Sequence, residues 1–208
     1  MRITIPDWMK IVEEQTNGQI KVTDFYPVPT VVPISKAVGA IKNKHYVEFT
    51  AHPHCGMATY VFVENGRIVP ITEYADVDKF IESMMKVYEE AKKGHTIRAK
   101  MHLLGALRHV KFSALRKYIW PVLKTGSYKA LGDLHRRMLM ISAMHFMDSY
   151  NFDLERVQRC VIHYAIPDGR IIPFCTMNSI HRPLIEKALG VPVEEWIARH
   201  KVEISAIA

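Results

Sequence analysis

Three cysteines, with the histidines around them, are the side chains of this sequence most able to do distinctive chemistry. Cys160 and Cys175 bracket the segment CVIHYAIPDGRIIPFC, and Cys55 sits in HPHCG between His54 and Gly56, with His52 close by. Thiolates hold zinc and iron–sulfur clusters. Three of them plus one histidine, a water or a substrate atom would complete four coordination positions. Gly56 leaves backbone N–H groups room to approach a sulfur. Two other outcomes stay open on spacing alone, a disulfide and buried thiols without a ligand. An odd count of three cysteines matches a secreted disulfide framework poorly.

The turn between the cysteines sets their geometry. Pro167-Asp168-Gly169 suits a type I turn closed by a glycine bulge, because proline pre-sets φ and glycine takes the left-handed position. If Ile166 pairs with Arg170, Cys160 falls opposite Thr176 and Cys175 opposite Val161. Both cysteines then reach the open end of a hairpin on opposite faces. That disfavours a cross-strand disulfide and favours ligands just outside the ladder. His163 points away from the Cys160 side, so a chelating pair or a cysteine nucleophile activated by His163 is disfavoured. Asn178, Ser179 and His181 follow Cys175, open to supporting it as a ligand or, the favoured reading, to capping a helix starting near Pro183.

The elements that must carry these residues follow from periodicity and punctuation. The first 50 residues or so read as irregular, with three prolines of DFYPVPTVVPIS in extended or turn conformation. TYVFVENGRIVPIT reads as a hairpin turning at Asn65-Gly66. It shares a G-R-I-[VI]-P core with the cysteine hairpin, and Cys55 precedes it much as Cys160 precedes the other. DVDKFIESMMKVYEEAKKG predicts an amphipathic helix stopped by Gly94. Helix is also expected through MHLLGALRHV, SALRKYIWPVLK and LGDLHRRMLMISAMHFMDSY. RPLIEKALG, ended by Gly190, and VPVEEWIARH finish the chain as short helices.

The fold class is therefore α+β, with β-hairpins carrying the cysteines and a bundle of amphipathic helices. The chain reads as a single module over 1–208. Residues 1–75 are extended and hairpin, 76–150 helical, and 151–208 the cysteine hairpin with the terminal helices.

The 208 residues are 49% hydrophobic and 24% charged, enough for a real core. No apolar run reaches the roughly 18 residues of a membrane span. MRITIPDWMKIVEEQ lacks the apolar centre of a signal peptide, so a cytoplasmic location is expected. The net charge is +7 with a pI near 9.3, and it concentrates between Lys92 and Arg137. Such a balance favours anionic partners. An RNA-binding aromatic–basic signature and a glycine-rich clamp are both missing, so nucleic acid is disfavoured.

The block CxxHYAxPDGRIIPFC, with DFYPVP…PIS and HPHCGMATYVF, resembles the C-terminal half of archaeal radical S-adenosylmethionine enzymes of the tetraether lipid synthase group, over nearly the whole chain. The resemblance implies that Cys55, Cys160 and Cys175 are metal ligands of an auxiliary site, either an iron–sulfur cluster of 4Fe-4S type or mononuclear iron. It implies that the basic helices attract phospholipid head groups and that the apolar helices line a lipid tunnel, with a peripheral place at the membrane surface. The family's C-x-x-x-C-x-x-C is absent from this sequence. S-adenosylmethionine would therefore enter only through a complementary radical SAM N-terminal domain or subunit. The expectation is an iron–sulfur-binding C-terminal module acting on archaeal lipids, not catalytically complete alone. The alternative is a zinc-stabilised basic binding protein for nucleic acid or anionic lipid.

Overall fold

A computed structural model of the chain describes residues 3–125 and 128–205. It divides into two compact units, one running to His145 and the other starting at Phe146.

The first unit begins with a helix where irregular chain was expected. α1 (Ile5–Gln15) is started by Thr4, whose hydroxyl accepts from the Asp7 N–H while the Asp7 carboxylate accepts from the Thr4 N–H at 3.1 Å. This reciprocal cap satisfies donors that the first helical turn leaves over. The proline-rich stretch is only partly extended. It forms the two-residue strand β1 (Tyr26–Pro27), a tight turn, and then α2 (Val32–Lys42), which carries a proline in its first turn. Pro33 is tolerated there because the missing N–H would have had no helical acceptor. The expectation for 1–75 is corrected accordingly: two eleven-residue helices accompany the hairpin.

β2 (Gly56–Glu64) and β3 (Arg67–Pro70) form the first hairpin, with Glu64 opposite Arg67. Asn65 and Gly66 both have positive φ, 52° and 79°, which is the two-residue turn that matches strand twist. β2 is the centre of the sheet, with β1 and β3 along one edge and a fourth strand along the other. Its two faces bury different partners. Val61 joins Met9, Ile20 and Phe25 beneath α1, whereas Phe62 packs with Ala114 and Tyr118.

A helical layer follows. α3 (Val77–Lys92) is capped by Asp76, and Gly94 takes a positive φ of 81° just past its end. α3 packs with α2 and α4 (Thr96–Ala106) around Ala37, Met84, Val87, Ala99 and Ala106. Alanines at three of these positions let the helices approach closely. α5 (Phe112–Ala114), a π-helical turn at Leu115–Ile119, α6 (Trp120–Thr125) and α7 (Tyr128–His135) carry the chain back to the sheet.

The methionine-rich segment expected to be helical is instead β4 (Met138–Met144), antiparallel to β2 from Phe62↔Met138 to Gly56↔Met144. Methionine and leucine favour helices as isolated residues, but an open edge of β2 supplies seven pairings that propensity cannot foresee. Gly56 admits the strand closely. A β-carbon there would collide with Met144 Sδ and lie 3.0 Å from the Ala143 carbonyl oxygen.

In the second unit, α8 (Leu154–Gln158) precedes the hairpin of β5 (His163–Ala165) and β6 (Ile171–Pro173). α9 (Phe174–Thr176), a π-helical turn at Met177–His181 and α10 (Arg182–Leu189) then form one continuous helical run, and α11 (Val193–Ser205) follows Gly190. Ile166, Ile172, Met177 and Ile185 are its core. Among the described residues, no helix is long and apolar enough to cross a membrane.

Candidate functional site

The cysteine hairpin has the register that its turn residues require. His163 pairs with Pro173 and Ala165 with Ile171, and the Ile166 N–H donates to the Arg170 carbonyl at 3.1 Å. The ladder is shorter than the apolar arms suggested. Cys160 lies in the turn that ends α8, its thiol donating to the Ile162 carbonyl at 3.0 Å, and Cys175 lies in the first turn of a helix. Neither is a strand residue. Cys55 ends a tight turn at Pro53–Cys55, where the His54 N–H donates to His52 Nδ1 at 3.2 Å and the two rings meet edge to face. The His145 N–H donates to the Cys55 carbonyl at 2.9 Å, extending the β4–β2 ladder by one residue. All three cysteines are thiols outside any disulfide. Among the described residues, no three side chains of the His, Cys, Asp or Glu types converge so as to hold a metal ion.

The residues after Cys175 do not cap a helix, because the helix has already begun. Asn178 Nδ2 donates to the Phe174 carbonyl, and its Oδ1 accepts from Arg182 Nη2 at 2.6 Å. Ser179 Oγ lies 2.7 Å from the Cys175 carbonyl and 2.8 Å from that of Met147. The His181 side chain makes no capping bond. Above this run, Phe146, Phe174 and Tyr164 form a column with centroids 5.2 and 5.3 Å apart, closed by the Arg182 guanidinium 5.6 Å from the Tyr164 ring.

A cavity in the first unit has a different character. It is an open cleft of about 460 Å³ between Val61 and Val63 of β2, Lys117 and Tyr118 of the π-helical turn, and Arg136, Arg137, Met138 and Leu139 where α7 gives way to β4. Sites for small molecules run from roughly 300 to 1,000 Å³. The position has a topological cause. β4 stops pairing at Met138, so the end of β2 at Val63 and Glu64 runs past it. The chain turns there, Arg136 and Arg137 donating their N–H groups to Gly132 and Leu134.

Beside the cavity, Glu64 Oε1 accepts from Lys117 Nζ at 2.7 Å and from the Tyr118 hydroxyl. Hydrogen bonds from Lys117, Tyr118 and Tyr74 hold the carboxyl down at about 2. Burial, then the bond to Glu64, pushes the Tyr118 phenol up to about 12, and Tyr74 is raised for the same reasons. At neutral pH this is a fixed carboxylate with fixed phenol donors. Charge counting along Lys92–Arg137 marked the region as basic, but it could not single out Glu64, 53 residues from Lys117 in sequence.

No protein-family model matches the chain. A curated relative does. It is a 7,8-dihydro-6-hydroxymethylpterin dimethyltransferase of Methanocaldococcus jannaschii, 47% identical over 219 residues, an alignment covering 97% of this chain and 42% of the relative. The chain thus spans about two fifths of that relative's length.

This corrects the resemblance drawn from the cysteine block. The matching protein is a pterin dimethyltransferase and not a tetraether lipid synthase, so the function as a lipid-acting radical SAM module is withdrawn, as is its zinc-binding alternative. The iron–sulfur or mononuclear iron cofactor is withdrawn with it. That assignment to Cys55, Cys160 and Cys175 drew on thiolate chemistry and on the lipid-synthase resemblance, and the described side chains form no converging ligand group.

Proposed function

We propose that this chain forms part of an enzyme that methylates a reduced pterin. The observation that carries the reading is the 47% identity to a 7,8-dihydro-6-hydroxymethylpterin dimethyltransferase across 97% of the chain. The cavity supports it, since about 460 Å³ between an apolar wall and polar groups suits a bicyclic heterocycle. Handling of the methyl donor is assigned to the rest of such an enzyme, whether on the same polypeptide or on a partner chain.

The test is a domain exchange. The matched segment of the M. jannaschii relative is replaced by this chain, and extracts of a host that makes 7,8-dihydro-6-hydroxymethylpterin are examined by mass spectrometry for singly and doubly methylated pterins. The isolated chain is titrated with the same pterin by calorimetry. Methylated pterins from the exchange protein and saturable binding by the isolated chain are expected. A folded, soluble exchange protein that yields none, together with an isolated chain that does not bind the pterin, overturns the reading.

A further inference from the structure

We propose that the Arg136–Arg137 corner of the first unit's cavity is a binding site for a phosphate group carried by a flat, partly apolar ligand. In identifying that ligand as a pterin derivative, the proposal rests on the function proposed above. The anion site itself stands on the charges around the cavity.

Among the described residues, three cations line the cavity, and they are not equivalent. Lys117 is already neutralised, because its ammonium sits on the Glu64 carboxylate at 2.7 Å and 5.1 Å from the Tyr118 ring centroid. The phenol of Tyr118 is likewise committed to Glu64. Arg136 has a loose, exposed partner in Asp133 at 3.6 Å, the kind of pair that solvent screens almost completely. Arg137 makes no ion pair among the described residues. The cavity therefore presents uncompensated positive charge from two arginines that follow one another in the chain.

A guanidinium offers planar, paired donors that match the oxygens of a phosphate better than an ammonium does. Most of the remaining lining is apolar. Val63 and Leu139 remain 69% and 61% exposed although both line the cavity. A ring placed over them would cover hydrophobic surface that the protein itself leaves open. Unneutralised arginine charge beside apolar lining suits an amphipathic ligand, a ring system bearing a phosphoryl group.

The chemistry could come from a phosphorylated pterin or from free phosphate, and the test separates them. The full chain is titrated calorimetrically at low ionic strength with three probes: inorganic pyrophosphate, 6-hydroxymethylpterin, and 6-hydroxymethylpterin diphosphate. The diphosphate is expected to bind most tightly and pyrophosphate measurably, with both weakened by added salt. Arg137→Gln and Arg136→Gln each lower affinity for the two phosphorylated probes roughly tenfold, the loss expected for a charged hydrogen bond. Arg137→Lys restores part of it, and Lys86→Gln, on the exposed face of α3, changes nothing. Both arginines are exposed, so circular dichroism of the glutamine variants should match that of the parent.

Absence of saturable pyrophosphate and diphosphate binding, or equal affinities in the parent and both glutamine variants, overturns the proposal. Pyrophosphate binding that depends on Arg137, without binding of either pterin, supports the anion site while counting against the pterin reading. Binding of the neutral pterin with no gain from its diphosphate does the reverse.

Discussion

The Lys117 ammonium lies 2.7 Å from Glu64 Oε1, and the Tyr118 hydroxyl donates to the same oxygen. One carboxylate thus ties the end of the central strand to a π-helical turn more than 50 residues further along the chain. The Tyr118 ring, 4.4 Å from that of Phe62, packs on the face of the strand that Phe62 shares with Glu64.

Glu64→Gln keeps the shape but removes the charge. At neutral pH it should lower unfolding stability by about 1.5 kcal/mol, the low end of the range for hydrogen bonds to a charged group, because the carboxyl stays partly exposed. The folded-state carboxyl titrates at about 2 against an ordinary 4.5, so its contribution is complete above 4.5 and is lost as pH falls towards 2. Denaturant unfolding of parent and variant across that range should show the two curves converging at the acid end. A gap independent of pH would contradict the assignment.

Thr59 is 2% exposed on the central strand, and its hydroxyl has no hydrogen-bond partner among the described residues. Thr59→Val replaces a desolvated hydroxyl by a methyl and keeps the β-branched shape. The variant should be more stable by about 1 kcal/mol, read from the denaturation midpoint. A destabilised variant would mean that the hydroxyl is satisfied.

Ile20 is fully buried beneath α1, and Ile172 is 6% exposed in the core of the second unit. Ile20→Ala and Ile172→Ala should each cost about 3 kcal/mol through lost burial and the cavity left behind. Chemical denaturation of each single variant checks this.

Gly56 is extended, with φ of −174°, so any residue can adopt its backbone conformation. The constraint is space, since a β-carbon would meet Met144 Sδ and the Ala143 carbonyl. Gly56→Ala should destabilise by about 1–3 kcal/mol, the cost of overpacking. Hydrogen exchange should locate the loosening at the paired amides of β2 and β4.

Local chemistry was legible in several places. Asn65-Gly66 announced the first hairpin, Asp76 and Gly94 bounded α3, and Pro167-Asp168-Gly169 set the register of the second hairpin, each acting through its own backbone preferences. α1 was also written locally, in Thr4 and Asp7 with a proline in the first turn, although the first 50 residues or so read as irregular. β4 was not legible at all. Met138–Met144 has the composition of a helix and becomes a strand only because β2 offers an open edge.

By itself the sequence determined the turns, the helix caps, the positive charge and the cysteine-bearing hairpin, because these depend on residues within a few positions of one another. Only the tertiary structure decided that a methionine-rich stretch is a strand, and that Glu64 pairs with Lys117 and Tyr118 beside a cavity edged by Arg136 and Arg137. Those features join segments tens of residues apart. Their stability comes from strand pairing and charge-assisted hydrogen bonds, which exist only once the distant partner has arrived.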